Sequence, residues 1–164
     1  MTIEMREKIL RLIEKNSRLT FEDIAIMLNL DVEDVAATIK DLEDKKIICG
    51  YHTLVNWDKA DDDQVSAVIE LKVSPQRGAG FDNIDERVYQ YPEVDAVYLM
   101  SGAYDLLVEM RKAPMKEIAN FVASRLSTIE EVQSTSTHFT LKRYKDHGTL
   151  FVEDDEDKRM VISP

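Results

Sequence analysis

The stretch 20–51 reads TFEDIAIMLNLDVEDVAATIKDLEDKKIICGY, and it decides the fold of the amino-terminal half of this chain. Apolar residues at helical spacing predict two short helices within it, the first marked by Ile24, Ala25 and Leu28 and the second by Val35, Ile39 and Leu42. Each helix begins with a capping pattern, Thr20 with Asp23 and then Asp31 with Asp34. Two capped helices so close together predict a helix-turn-helix, whose second helix typically enters the DNA major groove.

The residues around this motif complete a predicted DNA-binding domain, residues 1–57. Asn29 stands between the two helices, where a tight turn favours a residue that tolerates a positive φ. A further amphipathic helix precedes the motif, with its apolar side formed by Met5, Ile9, Leu12 and Ile13. The segment from about Ile47 to Val55 is predicted as a strand or wing.

The net charge, the lengths of the apolar runs and the cysteine content limit the class of protein to which this chain can belong. The 164 residues carry a net charge of −11, which disfavours non-specific contact with nucleic acid or with an anionic membrane. No run approaches the roughly 18 apolar residues of a membrane span, and the charged amino terminus does not fit a signal peptide. The single Cys49 cannot form an intramolecular disulfide. We therefore expect a soluble cytoplasmic protein without a membrane partner.

The second half of the chain shows a different pattern. The acidic segment 58–64 is predicted as a linker. After it, strands are predicted at 65–73, at 94–111 with a tight turn at Ser101-Gly102, and at about 132–143. Two helices are also predicted, one after Pro114 and one on the apolar stripe formed by Phe81, Ile84, Val88 and Tyr91. The order βαββαβ predicts a ferredoxin-like domain over 65–145, and an α+β class for the whole chain.

Two features of this second domain predict contacts with other chains. A four-stranded antiparallel sheet with both helices on one face leaves the other face uncovered, and the simplest cover is a second copy. The tail 146–164 is acidic, with apolar triplets at 150–152 and 160–162 on either side of an acidic run. We interpret the tail as a docking element of an assembly, the alternative being a disordered acidic extension.

The chain resembles the Lrp/AsnC family of bacterial and archaeal transcription regulators over about residues 2–145. The resemblance rests on the helix-turn-helix and the segment that follows it to Gly50-Tyr51, on the sequence SGAYDL at 101–106, and on Thr135-Ser136-Thr137. It implies a DNA-binding amino-terminal domain and a carboxy-terminal domain that dimerises through its sheet, often assembling into octamers. It also implies a small effector, usually an amino acid, bound between carboxy-terminal domains.

The second helix of the motif departs from the family pattern in its charge. Thr38 stands where the family usually has Arg, and Lys46 where it has Gly before the wing. Residues 31–46 hold six carboxylates against three lysines, although protein–DNA affinity comes largely from cations that neutralise phosphates. The predicted DNA-contacting residues are Thr20, Asp31, Val32, Glu33, Ala37, Thr38, Lys40, Asp41 and Lys45.

Two hypotheses accommodate this acidic helix. In the first, carboxylates accept hydrogen bonds from cytosine amino groups while basic residues hold the backbone, namely Arg6, Arg11, Lys15, Arg18, Lys45 and Lys46. In the second, the helix-turn-helix belongs to a ligand-sensing or protein-interaction module that no longer binds DNA. The first is preferred, because the whole order of elements resembles a DNA-binding family.

The turn between the two middle strands is the predicted effector site. Its amides can receive a carboxylate and Asp105 can pair with an α-ammonium group, while hydroxyls come from the last strand. The predicted effector residues are Met100, Ser101, Gly102, Ala103, Tyr104, Asp105, Thr135 and Thr137. The alternative is a plain β-turn in which Asp105 satisfies nearby amides. No cofactor, metal site or catalytic set of residues is predicted, so an enzyme is not expected.

Overall fold

The computed structural model describes residues 2–60, 63–74 and 82–152. The chain divides into two compact units, Met1–Val55 and Asn56–Pro164, called unit 1 and unit 2 below. Each unit is described by itself. None of the described helices combines the length and the apolar character needed to cross a membrane.

Unit 1 consists of three helices, α1 (Ile3–Lys15), α2 (Phe21–Leu28) and α3 (Val32–Asp44). The predicted capping box at the start of α2 is confirmed. The Thr20 hydroxyl accepts from the Asp23 N–H at 3.1 Å, and the Asp23 carboxylate accepts from the Thr20 N–H at 2.9 Å. The predicted turn is also confirmed, because Asn29 ends α2 with φ of 53°, in the left-handed region.

The capping pattern predicted at the start of α3 is wrong in one respect. Asp31 is the N-cap residue, with extended φ and ψ of −75° and 140°, but among the described residues its side chain accepts no capping hydrogen bond. A carboxylate in this place still complements the partial positive charge of a helix amino terminus. Asp31 therefore marks where α3 begins without closing its first turn.

The core of unit 1 is small. Its buried cluster is Ile9, Ile24, Ala25, Val35 and Ile39, and Leu42 is buried as well. These are positions that the helical spacing marked as apolar faces. Burying each large aliphatic side chain contributes about 1.5–3 kcal/mol, so a cluster of this size stabilises three short helices only together with their caps and turns.

The chain after α3 does not form the predicted strand. Lys46 takes the left-handed conformation with φ of 57°, and the N–H groups of Lys46 and Ile47 donate to Glu43 O and Leu42 O at 3.0 and 2.9 Å. These bonds close the helix end. Residues 47–55, all described, contain no strand, so that prediction is wrong. A strand needs a neighbouring backbone to pair with, and no described segment supplies one here.

Unit 2 is built on a four-stranded antiparallel sheet in the order β2-β3-β1-β4. Its strands are β1 (Val65–Val73), β2 (Val94–Leu99), β3 (Leu106–Ala113) and β4 (Val132–Phe139). Helix α4 (Asp82–Tyr89) follows β1, and α5 (Met115–Phe121), continued by a π-helical turn (Val122–Leu126), follows β3. This βαββαβ order confirms the ferredoxin-like prediction. Strand β4 ends at residue 139 and not at 143.

Strand register defines the two faces of the sheet. Ile69 lies opposite Val108 on β3 and Thr137 on β4, and these residues point to one side. That side is buried against Val88 of α4 and Ile118 of α5. The other side, called the open face below, carries Val68, Glu70, Lys72, Ala96, Tyr98, Leu107, Glu109, Ser134, Ser136 and His138.

A short hairpin closes the described part of unit 2. Strands β5 (Lys145–Asp146) and β6 (Thr149–Leu150) pair across His147 and Gly148, which both have positive φ. The Phe151 N–H extends this pairing by donating to Tyr144 O at 2.9 Å. The predicted docking element of the tail depends on 153–164, which lie outside the described residues.

Candidate DNA and ligand sites

The outward side of α3 carries most of the side chains predicted to contact DNA. Exposed on it are Val32, Glu33, Ala37 and Lys40, together with the cap residue Asp31. Glu33, Ala37 and Lys40 project away from the buried residues of the same helix, and Val32 lies at the edge of the buried side. Thr20 is exposed at the start of α2. Their position leaves these side chains accessible to a macromolecule, and their contact with DNA stays a prediction.

Thr38 is the buried member of the set of residues predicted to contact DNA. Its side chain is buried, with 8% of the residue exposed, and its hydroxyl donates to Asp34 O at 2.7 Å. Thr38 therefore belongs to the packed side of α3, which limits the access of its side chain to DNA. Threonine favours this bond because its short side chain reaches the carbonyl four residues back along the helix.

Asp41 is held by two cations. Its carboxylate accepts from Lys45 on the same helix at 2.8 Å and from Arg6 of α1, 35 residues away in sequence. The hydrogen bond from Lys45 is the main reason that the pKa of Asp41 lies below its ordinary value, with a smaller contribution from Arg6. Asp41 thus ties α1 to α3 and occupies two cations that a DNA phosphate would otherwise attract.

Other basic residues of unit 1 are paired in the same way. Lys40 donates to Asp44 at 3.0 Å, which raises the pKa of Lys40, and Arg11 donates to Glu7 at 2.6 Å. Within the described part of unit 1, the cations without a carboxylate partner are Lys15, Arg18 and Lys46. Of the basic residues expected to hold the DNA backbone, these three are the ones whose charge is uncompensated.

Tyr51, which the sequence marked only as part of the family resemblance, fixes the segment after α3. The Tyr51 hydroxyl donates to Glu43 Oε1 at 2.8 Å. Burial, followed by this hydrogen bond, raises the pKa of Tyr51. The contact occupies one more carboxylate of α3, and it holds the chain near the helix without a strand.

The predicted effector loop is a tight connection between β2 and β3. The Met100 N–H donates to Asp105 O at 2.8 Å, which brings the two ends of the loop together. Gly102 has φ of 150°, in the region that favours glycine, and a Cβ there would meet no atom within 4 Å. Met100, Ser101 and Ala103 are exposed, and Tyr104 is half-buried. The loop therefore presents backbone amides and small side chains to solvent.

Asp105 anchors this loop to the end of β1. Its N–H donates to Leu71 O at 2.9 Å, and its Oδ2 accepts from the Val73 N–H at 2.8 Å. Val73 is 32 residues away in sequence, so the amide that Asp105 satisfies is not a local one. A carboxylate has about four acceptor positions, and one hydrogen bond leaves capacity for a ligand ammonium group.

The two predicted threonines lie on the neighbouring strand. Thr135 pairs with Leu71 and Thr137 with Ile69, and both are half-buried on the helix-covered side. Because β3 and β4 flank β1, Thr135 lies about 10 Å from the start of β3, two strand spacings away. Thr137 lies about 7 Å further along its strand. The structure thus brings Thr135 nearer to the Asp105 anchor than Thr137.

Residues of unit 1 that could suggest a metal do not form a cluster. The Cys49 thiol donates to Lys46 O at 3.0 Å. Within the described residues, no three His, Cys, Asp or Glu side chains are grouped closely enough to hold a metal ion.

Comparison with known proteins identifies the family. A model described as the Lrp/AsnC ligand binding domain matches residues 66–150, and one described as a winged helix-turn-helix DNA-binding domain matches residues 4–48. The first covers the sheet, the loop at 100–105 and the terminal hairpin. The chain belongs to the Lrp/AsnC family of transcriptional regulators. Its members have a helix-turn-helix domain for DNA and a ligand-binding domain. Here the first corresponds to unit 1 and the second to unit 2.

Individual relatives agree with this assignment. The HTH-type transcriptional regulator YugG of Bacillus subtilis, an uncharacterized protein, is 46% identical over 162 residues, 98% of each chain. The solved complex of the regulator NMB0573 from Neisseria meningitidis with L-Met has a TM-score of 0.69 at 25% identity, covering 89% of this chain and 94% of that one. Escherichia coli AsnC has a TM-score of 0.66 at 18% identity, with coverage of 87% and 94%.

Proposed function

We propose that this Lrp/AsnC regulator binds double-stranded DNA sequence-selectively through α3, as a homodimer or larger assembly whose affinity an amino acid modulates. The observation that carries the proposal is the exposed set Glu33, Ala37 and Lys40, with Val32 exposed at the first turn, on a helix whose other side is packed in the core of unit 1. A helix held in this way can enter a major groove as a rigid body. Val32 can contact a thymine methyl group, and Glu33 can accept from a cytosine amino group.

The open face of the sheet supports self-association. It combines apolar side chains near its centre, Val68, Leu107 and Tyr98, with charges of both signs, such as Glu70 and Lys72. The mixture suits a two-fold contact, because an acidic group of one copy can meet a basic group of the other. Dimerisation places two copies of α3 on one DNA, which compensates for the few uncompensated cations of each unit 1.

The proposed effector is an amino acid bound near residues 100–105. Exposed amides around Gly102 suit the α-carboxylate, and the anchored carboxylate of Asp105 suits the α-ammonium group. The L-Met complex of the Neisseria meningitidis relative makes L-methionine the first amino acid to test. An octamer, with effectors between dimers, is the larger assembly that we expect.

The DNA part of the proposal is tested by fluorescence anisotropy against a pool of source-genome fragments at two salt concentrations. We expect selective binding that weakens with salt. Lys40→Gln should weaken it about two- to fivefold, whereas Lys116→Gln, the same charge change on the exposed side of α5, should leave it nearly unchanged. Equal effects of the two variants would show that α3 is not the contact.

The effector part is tested by thermal shift and by the change in DNA affinity on adding single amino acids, beginning with L-methionine. Asp105→Asn keeps an acceptor for the Val73 N–H but removes the negative charge. We expect this variant to fold normally and to bind the effector about tenfold more weakly. Unchanged affinity in Asp105→Asn would remove this carboxylate from the site.

One observation favours a second function. The cations Lys40, Lys45 and Arg6 are all engaged by carboxylates of α3, which leaves its outward surface acidic. Such a surface suits a basic protein partner better than a phosphate backbone. If wild-type protein shows no selective DNA binding at low salt, this protein-interaction function becomes the better proposal.

A further inference from the structure

A polar cavity of about 140 Å³ lies in unit 2, where β1 begins and β3 and β4 end. Its floor is formed by adjacent strand ends, because the Thr140 N–H donates to Ser66 O at 2.9 Å and Val65 pairs with Ala113. The residues that line it are Asp58, Gln64, Val65, Ser66, Lys112, Thr140, Leu141, Lys142 and Arg143.

The lining is cationic in a strongly acidic protein. Among the described residues it holds three basic ones, Lys112, Lys142 and Arg143, and one carboxylate, that of Asp58. The chain as a whole has a net charge of −11. A concave surface of one sign concentrates counter-ions, so this cavity attracts anions where most of the surface repels them. The hydroxyls of Ser66 and Thr140 add neutral hydrogen-bond donors.

Lys112 carries the strongest indication of a ligand. Its side chain is only 18% exposed, and its ammonium lies 3.4 Å from Asp58 Oδ1, a long contact with a carboxylate that is itself 64% exposed. An ammonium group has three donors, and each of them gains from an acceptor within hydrogen-bond distance. Asp58 supplies one at the edge of hydrogen-bond distance, so an anion in the cavity would improve the pairing of Lys112.

The other two cations are held in place from outside the cavity. Arg143 pairs with Asp146 at 3.0 Å and lies over the Phe151 ring at 5.4 Å, and Lys142 lies over the Tyr144 ring at 5.1 Å. These contacts restrain both side chains, and within the part of the chain that the structure describes they add no second carboxylate to the lining. The site is therefore partly preorganised, which lowers the entropic cost of binding a small anion.

We propose that this cavity binds a small phosphate-type oxyanion, either inorganic phosphate or the phosphate group of a small metabolite. It is a second ligand site, because Val65 lies about 20 Å along β1 from Leu71, the residue to which the 100–105 loop is anchored. The anion binds between Lys112 and the Lys142-Arg143 pair. It competes with Asp58 for Lys112, and so couples ligand binding to the segment that leads into unit 2.

The test uses the full chain without DNA and without amino acids, so that its outcome is independent of the proposed effector and DNA functions. Inorganic phosphate, a small phosphate monoester and chloride are titrated at constant ionic strength by calorimetry. We expect saturable binding of a phosphate species, and about tenfold weaker binding by Lys112→Gln. Lys142→Gln, at an exposed position where the fold does not depend on the side chain, should weaken binding about threefold.

Two matched controls make the result specific. Lys116→Gln removes the same charge from an exposed position outside the lining and should change the affinity less than twofold. Asp58→Asn should tighten binding severalfold by removing the competing carboxylate, whereas Asp63→Asn, also exposed and outside the lining, should not. A preference between phosphate and the monoester identifies the source of the anion.

Three outcomes would overturn the proposal. The first is the absence of saturable phosphate or monoester binding by the wild-type chain. The second is an equal loss of affinity in Lys142→Gln and Lys116→Gln, which would indicate a general charge effect. The third is unchanged affinity in a folded Lys112→Gln variant.

Discussion

The two units of this regulator stabilise themselves in different ways. Counting described residues only, unit 2 buries a cluster of 14 between its sheet and helices, whereas the cluster in unit 1 has five. Unit 1 relies instead on a capping box, on left-handed turns at Asn29 and Lys46, and on ion pairs such as Asp41 with Arg6. The ion pairs that help to hold unit 1 together also occupy the cations with which it would bind DNA.

The largest predicted effect is the loss of stability that follows when a cavity is created in the core of unit 2. Ile69 is completely buried at the centre of the sheet, so Ile69→Ala should lower the free energy of unfolding by about 2–5 kcal/mol. Denaturant unfolding followed by circular dichroism measures this loss, and hydrogen exchange assigns it to unit 2. Ile3→Ala, at an exposed position, should change stability by less than about 0.5 kcal/mol. Similar losses of unfolding free energy in both variants would contradict the claim that the buried core stabilises unit 2.

In unit 1 a single surface hydroxyl should have a measurable effect. Thr20→Ala removes the acceptor for the Asp23 N–H and should destabilise α2 by about 1 kcal/mol. Faster hydrogen exchange in peptides covering 21–28 would report this loss. Ser17→Ala, in the exposed turn before α2, is the matched control and should leave exchange unchanged. If Thr20→Ala behaves like the control, the capping box contributes little to unit 1.

A stabilising substitution should exist at the end of α3. Lys46 holds φ of 57°, where a side chain strains the backbone and glycine does not, so Lys46→Gly should stabilise unit 1 by up to about 1 kcal/mol. The control is Lys45→Gly, because Lys45 has φ of −83° and glycine there only adds freedom to the unfolded chain. Thermal unfolding should move in opposite directions for the two variants; a shift in the same direction would refute the strain argument.

Releasing the paired cations of unit 1 should strengthen its binding to DNA. Asp41→Asn removes the carboxylate that holds Arg6 and Lys45, so DNA affinity should rise about threefold and its salt dependence should steepen. Anisotropy titrations at several salt concentrations measure both quantities. Asp95→Asn makes the same charge change at an exposed position of β2 and should have a smaller effect. No difference between the two variants would mean that these ion pairs do not compete with phosphate.

The smallest predicted effect is a response of unit 1 to acid. The hydrogen bond from the Thr20 N–H is the main cause that lowers the pKa of Asp23 below its ordinary value of 3.8. A carboxyl whose pKa is lower in the folded state stabilises the fold above its unfolded-state pKa and loses this contribution as pH falls through the folded value. Hydrogen exchange in peptides from α2 should therefore accelerate below about pH 4 in the wild-type protein, and the acceleration should be smaller in Asp23→Asn. An equal pH response in that variant would assign the acid sensitivity to other groups.

Local sequence patterns determined much of the secondary structure of this protein. A capping box, a turn residue that tolerates positive φ and apolar residues at i, i+3 and i+4 act within one helical turn, so residues 20–44 could be interpreted without tertiary information. Alternation of apolar residues likewise predicted the strands of unit 2 and their order. The predicted strand at 47–55 is wrong because pairing depends on a neighbour that the pattern cannot reveal. The burial of Thr38 was likewise not predictable, because it depends on how the helices pack.

Only the tertiary structure decided which charged groups meet. The contacts of Arg6 with Asp41, of Asp105 with the Val73 N–H and of Lys112 with Asp58 join residues 35, 32 and 54 positions apart. Interactions over such separations depend on how elements pack, and no short pattern in the sequence encodes them. The sequence by itself determined the helices of unit 1, the βαββαβ order of unit 2 and the family that the chain resembles. Packing determined which cations are neutralised in unit 1 and which converge on the cavity of unit 2.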